Sequence, residues 1–182
     1  MLILGSQSPR RKEILQMAQI PFKVEIIDVF EDVKENNPKD YVLKTALKKG
    51  LAYCEKFDKD VLLCCDTIVE VDGHILEKPK DINDAKRMIK EISGRSHYVH
   101  TGVFLGKKDD YTNFVETTTV YVRKMSDIEI CEYVKTSEPY DKAGSYAIQG
   151  IFGKYIEKID GDYYNVMGLP LCEVVKHLNK YI

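Results

Sequence analysis

The residues from Gly5 to Arg11 have the types and order expected of an anion-binding turn. They lie between a short apolar strand and a predicted helix, in which Ser8 is a good N-cap and Pro9 suits the first helical position. Free backbone N–H groups converge at such a helix start, with the positive end of the helix dipole behind them. Arg10 and Arg11 have the unfavourable sign there, and a bound anion would offset it. We interpret the turn as an oxyanion or phosphate site; the alternative is a pair of surface arginines paired with acids elsewhere.

Asp66 is the second candidate, because it follows the continuous apolar run 61–65. That run predicts a central strand that is buried on both faces and ends at Asp66. A carboxylate there is costly to bury unless it is paired, bound to a metal or placed at a cleft, and ligands of α/β sheets collect at strand ends. The alternative is an aspartate that caps a turn through Thr67. Three further charges lie beside predicted helices or loops, and each would be solvated if considered alone: Glu31, Lys49 and Lys78.

A third candidate is the segment from Asp141 to Gly150. Gly144 and Gly150 bracket a stretch that is too small and too polar for a core element. Loops of this kind often carry binding residues. The sequence therefore favours a binding loop here, with a structural turn as the alternative.

The pattern of apolar residues predicts one α/β domain, residues 1–182, with alternating strands and helices and mixed strand directions. Predicted strands cover 2–4, 22–26, 61–65 with a continuation to a turn at 72–73, 99–105, 117–122 and 155–159. Predicted helices begin at Ser8, near residue 42, at Asp84, at Ser126 and near Pro170. The second helix is predicted to turn its apolar residues inward: Val42, Leu43, Ala46, Leu47 and Leu51.

Composition and charge exclude several classes of protein. Of the 182 residues, 44% are hydrophobic and 31% are charged, which is typical of a soluble globular domain. The formal net charge of -2 gives no reason to expect a nucleic-acid footprint or a membrane surface. No apolar run approaches the roughly 20 residues of a membrane span, and the first residues lack the features of a signal peptide. We therefore expect a cytoplasmic protein with no nucleic-acid or membrane partner.

Several other chemistries lack the residues that they need. The five cysteines are odd in number and have no paired C-x-x-C spacing, so we expect reduced thiols rather than disulfides or a zinc cage. Cys64 or Cys65 as a nucleophile would need a positioned base, and none is visible. The four histidines show no ligand spacing, and His97 and His100 are expected to be structural. The phosphate-loop, dinucleotide-binding and zinc-protease motifs are absent.

Together these segments resemble the Maf family of nucleoside triphosphate pyrophosphatases. The resemblance runs in order over essentially the whole chain and rests on these motifs: Ser6-x-Ser8-Pro9-Arg10-Arg11, Cys65-Asp66-Thr67-Ile68-Val69, Glu77-Lys78-Pro79, Ser93-Gly94-Arg95-x-His97, Thr101-Gly102-Val103, Glu116-Thr117, Asp141-Lys142-Ala143-Gly144, Ile148-Gln149-Gly150 and Gly168-Leu169-Pro170. It implies the Maf/inosine-triphosphatase-like α/β fold, an elongated mixed sheet flanked by helices with two lobes around a cleft. It also implies hydrolysis of a nucleoside triphosphate to monophosphate and pyrophosphate, helped by a divalent cation, Mg²⁺ or Mn²⁺, in the house-cleaning of nucleotide pools.

The resemblance also implies roles for individual residues. Arg10, Thr67 and Gln149 match the branch that acts on dTTP, UTP and modified pyrimidine triphosphates, rather than the branch that acts on 7-methyl-GTP. A glutamine amide both donates and accepts, so it can address the mixed edge of a uracil or thymine ring. Asp66 matches the general base and, together with Glu31, the metal shell. The residues that match the phosphate-binding positions are Ser6, Ser8, Arg11, Lys49 and Lys78.

Two departures from the family pattern and two alternative functions accompany this interpretation. Phe30 stands where an acidic residue often precedes Glu31, which leaves the number of metal ligands open, and Ala147 replaces a usual glycine. One alternative is a pyrophosphatase for inosine or xanthosine triphosphate on the same scaffold. The other is a nucleotide-binding regulator of septum formation in cell division, although a pure binder has no need of a base such as Asp66. Relatives are commonly homodimers, and no exposed apolar stripe in the sequence establishes one.

Overall fold

The computed structural model describes residues 1–181, so the predicted domain of residues 1–182 includes one residue, Ile182, that lies outside the described part. Within this range the strands are β1 (Leu2–Leu4), β2 (Phe22–Val24), β3 (Val61–Val71), β4 (His74–Leu76), β5 (Ser96–Lys107), β6 (Asp110–Val122) and β7 (Ile156–Asp160). The helices are α1 (Pro9–Met17), α2 (Pro38–Cys54), α3 (Ile82–Ile92), α4 (Asp127–Tyr133), α5 (Tyr163–Met167) and α6 (Leu171–Leu178). Short 3₁₀ turns occupy Glu138–Asp141, Ala143–Ser145 and Ile151–Tyr155.

The sheet is mixed, as the sequence predicts. Its strand order is β2-β1-β3-β5-β6-β7, and β4 pairs with β3. β1 is parallel to β2 and to β3, whereas the pairs from β3 through β5 and β6 to β7 are antiparallel. Because β5 and β6 are long and form one continuous hairpin, the sheet is elongated along these two strands.

Strand β3 continues through Asp66 to Val71, so the predicted strand end at Asp66 is wrong. On one edge the ladder is unbroken, since Asp66 pairs with Gly102 of β5. On the other edge the partner strands end instead: β1 pairs with β3 only as far as Leu63, and β4 begins its pairing at Val69. Between these points, no strand among residues 1–181 covers this edge of β3. The gap, rather than a strand end, opens the sheet to a ligand.

Two apolar clusters on one face of the sheet form two lobes, which the family resemblance implies. The first packs Ile14 and Leu15 of α1 and Val174 of α6 against β1 and β3. The second packs Met88 and Ile89 of α3 against the far ends of β3, β5 and β6. Polar residues, described below, lie between the clusters and keep the lobes separate.

Helix α2 covers the opposite face and lies unusually close to the sheet. A Cβ atom on Gly102 would lie 2.1 Å from the carbonyl oxygen of Val42, and one on Gly50 would lie 2.1 Å from the ring of Phe104. The helix therefore packs through small residues on the face that contains Gly50. Leu51 lies one position off this face and is 38% exposed, so its predicted inward orientation is wrong.

The thiols and the start of α4 agree with the sequence analysis. All five cysteines are free, and Cys54, Cys64 and Cys65 are buried. Helix α4 begins with the predicted capping box, in which Ser126 and Glu129 exchange hydrogen bonds with each other's backbone. Among residues 1–181, none of the helices is both long enough and apolar enough to cross a membrane.

Candidate active site

A cleft of about 710 Å³ opens at the gap along β3 between the two lobes. The structure brings every predicted site residue to the lining of this cleft. These residues are Ser6, Ser8, Arg10, Arg11, Glu31, Lys49, Asp66, Thr67, Lys78 and Gln149. Residues up to 143 positions apart in the chain, from Ser6 to Gln149, therefore share one cavity.

The turn before α1 forms one end of the cleft. Helix α1 begins at Pro9, with Ser8 at the N-cap position and no acidic residue in the first turn, as predicted. The Ser8 hydroxyl makes no capping hydrogen bond; instead, the Ser8 N–H donates to Oγ of Ser6 at 3.2 Å. Because no side-chain oxygen caps the first turn, its N–H groups are left for a ligand in the cleft.

A group of three charged side chains lies at the gap along β3: Asp66, Lys49 and Glu31. Lys49 Nζ lies 3.0 Å from Oδ1 of Asp66 and 3.1 Å from Oε1 of Glu31. The side chains of Lys49 and Asp66 are only 14% and 18% exposed, whereas that of Glu31 is 47% exposed. Burial acts to lower the pKa of Lys49, but the Asp66 and Glu31 carboxylates outweigh it and raise the pKa above its ordinary value. Lys49 is therefore a fixed positive charge beside Asp66.

The sequence of α2 explains why Lys49 reaches Asp66. Asn37 caps the helix by accepting hydrogen bonds from the N–H groups of Lys39 and Asp40, and Pro38 occupies the first helical position. The close contact of α2 with β5 then brings this helix next to the strand partner of Asp66. A rigid helix packed on a rigid strand thus fixes the distance between the two charges.

Arg10 is a cation on the lining of the cleft. It is partly buried in the cleft, and among residues 1–181 no carboxylate forms an ion pair with it within 4.0 Å. Burial lowers the pKa of Arg10, which nearby Asp141 partly offsets, and a guanidinium stays charged at any ordinary pH. A partly desolvated, unpaired guanidinium in a cleft is suited to bind phosphate oxygens.

Arg11, by contrast, is held by the protein. Its Nε donates to the carbonyl oxygen of Gly168 at 2.7 Å, its Nη1 to Ser6 Oγ at 3.0 Å and its Nη2 to Thr67 Oγ1 at 3.0 Å. The Thr67 hydroxyl is also 2.9 Å from that of Thr101. Arg11 therefore joins the turn, strand β3 and the segment after α5, while it still lines the cleft.

Sequence reasoning missed the part played by Gly168 in this network. Gly168 has a φ of 108°, which favours glycine, and a Cβ there would lie 3.4 Å from Thr67 Oγ1 and 3.6 Å from Arg11 Nε. The motif Gly168-Leu169-Pro170 was the available signal, but its distance along the chain from Arg11 concealed the contact.

Tyr41 is a second cleft residue that the sequence analysis did not identify. It lies on α2 eight positions before Lys49, so both side chains project from the same helical face into the cleft. Burial raises the pKa of Tyr41, and Asp66, Glu77 and Glu31 raise it further. The spacing of the two residues was the signal that could have found it.

The donor set of the cleft fits a divalent cation that is completed by a substrate. Among residues 1–181, no group of three or more His, Cys, Asp or Glu side chains is arranged to hold a metal alone. Asp66 and Glu31, however, both line the cleft, and each contacts Lys49 through one carboxylate oxygen, which leaves its other oxygen for a cation. Mg²⁺ is typically held by one or two carboxylates together with substrate phosphates, and Mn²⁺ also prefers oxygen ligands.

The histidines and buried thiols are poor candidates for the chemistry, as predicted. His97 and His100 are buried and make hydrogen bonds to protein side chains. Burial raises the pKa of the Cys65 thiol to about 11, so it stays protonated and weakly nucleophilic at neutral pH.

Known proteins resemble this chain over its whole length. A protein of Acholeplasma laidlawii named dTTP/UTP pyrophosphatase is 46% identical over 100% of this chain and 96% of its own. Proteins of the same name from Bacillus cytotoxicus and Koribacter versatilis are 43% and 44% identical, each over 98% of this chain and over 94% and 93% of their own.

One solved structure resembles the fold, and a family model matches the chain itself. The structure of the Staphylococcus aureus Ham1 protein superposes with a TM-score of 0.50 at 12% identity, covering 66% of this chain and 71% of the other. This likeness concerns the fold alone, and it agrees with the predicted mixed sheet flanked by helices. The family model of Maf-like proteins matches residues 1–181. The chain therefore belongs to the Maf family.

Proposed function

We propose that this protein is a nucleoside triphosphate pyrophosphatase that hydrolyses dTTP and UTP, and related pyrimidine triphosphates, to the monophosphate and pyrophosphate. The observation that carries the proposal is Asp66 at the gap in the sheet, ion-paired to Lys49 and sharing one cleft with the unpaired Arg10. Relatives at 43% to 46% identity that bear the name dTTP/UTP pyrophosphatase support the substrate class.

In the proposed reaction, Asp66 takes a proton from a water molecule that attacks the α-phosphorus. The bond between the α-phosphorus and the bridging oxygen breaks, and pyrophosphate leaves with the electron pair. A positioned base of this kind is typically worth about 10²–10⁴-fold in rate. Lys49 holds the carboxylate in one orientation, because the ammonium is itself fixed by α2.

The remaining residues of the cleft would hold the triphosphate and the pyrimidine ring of the substrate. Arg10 and Lys78 would neutralise the phosphate oxygens, together with the N–H groups at the start of α1. Asp66 and Glu31 would hold a divalent cation, Mg²⁺ or Mn²⁺, which when bound supplies further neutralisation of phosphate charge. The amide of Gln149 would bind the edge of the pyrimidine ring. The hydrogen bonds of Arg11 to Ser6 and Thr67 would hold the turn before α1 against β3.

The proposal also concerns partners and place of action. We propose that the substrate is a free nucleotide in the cytoplasm, since the net charge of -2 gives no support for a nucleic-acid ligand. A homodimer stays a prediction of the family resemblance.

The test is a panel of triphosphates with added Mg²⁺ or Mn²⁺ and detection of both pyrophosphate and orthophosphate. We expect UTP and dTTP to be the preferred substrates and pyrophosphate to be released in equal amount to monophosphate. A preference for inosine or xanthosine triphosphate would contradict the pyrimidine assignment. Nucleotide binding without any release of pyrophosphate would favour the regulator instead.

A further inference from the structure

The segment Ala147–Gly150, which carries Gln149, is held at its far end by Glu138. Oε2 of Glu138 accepts a hydrogen bond from the N–H of Ile151 at 2.6 Å, and Oε1 accepts one from the N–H of Phe152 at 3.0 Å. The hydroxyl of Tyr133 also donates to Oε1 at 3.0 Å. One carboxylate therefore fixes the two residues that follow Gly150.

The near end of the segment is held by His97. Its Nε2 lies 2.6 Å from the hydroxyl of Tyr146, and the two rings meet edge to face with centroids 5.2 Å apart. Both residues are buried, at 1% and 5% exposure. Burial lowers the pKa of His97 to about 3, so the ring is neutral. A buried neutral pair in this geometry has little freedom to move.

The backbone before the segment is strained, which indicates that its surroundings determine its shape. Gly144 and Ser145 both have a positive φ, 66° and 64°, and this conformation is unfavourable for serine. The Tyr133 hydroxyl lies 3.1 Å from the Ser145 carbonyl oxygen as well as 3.0 Å from Oε1 of Glu138, so its one proton is shared between Glu138 and the strained residue. Gly150 lies so close to Glu138 that a Cβ would be 2.1 Å from Oε2. The segment is therefore constrained on both sides.

We propose that Glu138 and His97 are positioning residues for base selection, which act by holding Gln149 in one place in the cleft. Neither residue lines the cleft, whereas Tyr146, Ala147, Ile148 and Gln149 all do. They act through the backbone of the segment and not by contact with the nucleotide. This inference rests on the proposed function, because it assumes that Gln149 binds the pyrimidine.

A purely structural role of Glu138 and a positioning role predict different changes in the kinetics. If Glu138 only stabilised the fold, its loss would lower stability and change all substrates alike. If it positions Gln149, its loss changes the ratio of kcat/KM for UTP to that for CTP, since the two bases present different hydrogen-bonding edges. The change should lie mainly in KM, because the charged group around Asp66 is untouched.

The experiment compares the full-length wild type with Glu138→Gln, which keeps the size of the side chain but removes one of the two acceptors. We expect the UTP-to-CTP ratio to fall by about tenfold, the equivalent of one oriented hydrogen bond, while kcat for UTP changes less than about threefold. The matched control is Glu129→Gln, because Glu129 also accepts a hydrogen bond from a backbone N–H, that of Ser126 at 2.9 Å, but this N–H belongs to the start of α4 and not to the residues that follow Gly150. The control should keep the wild-type ratio.

His97→Gln provides a second, independent variant in case Glu138→Gln does not fold. It removes the ring that contacts the Tyr146 hydroxyl, and it should also lower the ratio, although His97 does not line the cleft. A wild-type ratio in the folded variants would overturn the inference while the proposed function stands. A wild-type enzyme with no preference for UTP over CTP would instead contradict the proposed function, and the inference with it.

Discussion

Two walls of the cleft are built by different interactions. We call them the charged wall, which contains Arg10, Lys49 and Asp66, and the loop wall, which is residues 146–150. The charged wall is held by regular elements, since Asp66 lies inside β3, Lys49 inside α2 and Arg10 in the first turn of α1. The loop wall has little regular structure of its own and depends on side chains that bind its ends, namely His97 and Glu138. The first arrangement suits chemistry that needs fixed charges, and the second suits recognition of one base among several.

A second contrast lies within the first turn of α1. Arg10 and Arg11 are adjacent in sequence, yet Arg10 faces the cleft without an ion-pair partner among residues 1–181, whereas Arg11 donates three hydrogen bonds to the protein. Residue type alone could not separate them. The difference predicts that one arginine serves the ligand and the other serves the fold.

The largest effect should come from Asp66→Asn on the charged wall. The amide keeps the shape and an acceptor toward Lys49 but cannot take a proton, so kcat for UTP should fall by about 10²–10⁴-fold. Steady-state kinetics measures the loss, and circular dichroism should show an unchanged fold. Asp160→Asn, at an exposed position on β7, is the matched control. A near-normal kcat in correctly folded Asp66→Asn would refute the assignment of Asp66 as the general base.

The next effect separates the two arginines. Arg10→Ala should raise KM for UTP by about 10–100-fold, since hydrogen bonds to charged groups are worth roughly 1.5–3 kcal/mol, and its melting temperature should hardly change. Arg11→Ala leaves the acceptors on Gly168, Ser6 and Thr67 without their donor, so its free energy of unfolding should fall by about 1–3 kcal/mol or more. Kinetics and thermal unfolding of both variants measure the contrast. If Arg10→Ala and Arg11→Ala changed KM and melting temperature by the same amounts, the proposed difference between the two arginines would be wrong.

A smaller effect is expected from Gln149→Glu on the loop wall. The carboxylate lacks the N–H donors of the amide, so the ratio of kcat/KM for UTP to that for CTP should fall by about tenfold, the equivalent of one hydrogen bond. Gln16→Glu, at an exposed position on α1, makes the same change of charge away from the cleft. An unaltered substrate ranking in Gln149→Glu would show that Gln149 is structural.

The last effect concerns stability rather than activity and comes from His97. Its pKa in the folded protein is about 3, below the value of about 6.5 for an unperturbed histidine. As the pH falls below about 6.5, the unfolded chain takes up a proton that the folded protein does not. Stability is therefore lost between about pH 6.5 and pH 3, at up to about 1.4 kcal/mol per pH unit, and is unaffected above this window.

Urea unfolding at pH 7.5 and pH 5.0 measures this contribution. His97→Gln should lose less stability than the wild type between the two pH values, because the buried titrating ring is gone. His74→Gln, at an exposed position on β4, should behave as the wild type does. Equal losses in the wild type and His97→Gln would show that His97 does not titrate as its burial requires.

Much of the fold could be predicted because its signals are local. The apolar run 61–65, the capping box at Ser126 and the first turn of α1 each depend on neighbouring residues, and all three occur where predicted. Asp66 was misplaced at a strand end because a charged residue in a strand usually marks its limit. The pairing with β5 shows that the strand continues through Asp66, and the pairing with β1 and β4 shows that its neighbours on the other edge end.

The less predictable features are contacts between distant segments. Gly168 lies 157 positions from Arg11, and local periodicity carries no information about such a pair. The predicted inward orientation of Leu51 is wrong for a related reason, since α2 lies against the sheet through Val42, Ala46 and Gly50, and close contacts with β5, a distant segment, set this face. The role inferred for Glu138 depends on backbone N–H groups, which the sequence does not specify.

The central claim is that a water molecule activated at Asp66 attacks the α-phosphorus of a pyrimidine nucleoside triphosphate. Hydrolysis of UTP in ¹⁸O-labelled water, with mass analysis of both products, tests it most directly. The account predicts one labelled oxygen in the nucleoside monophosphate and unlabelled pyrophosphate. Label in the pyrophosphate, or release of labelled orthophosphate, would place the attack on another phosphorus and contradict the account.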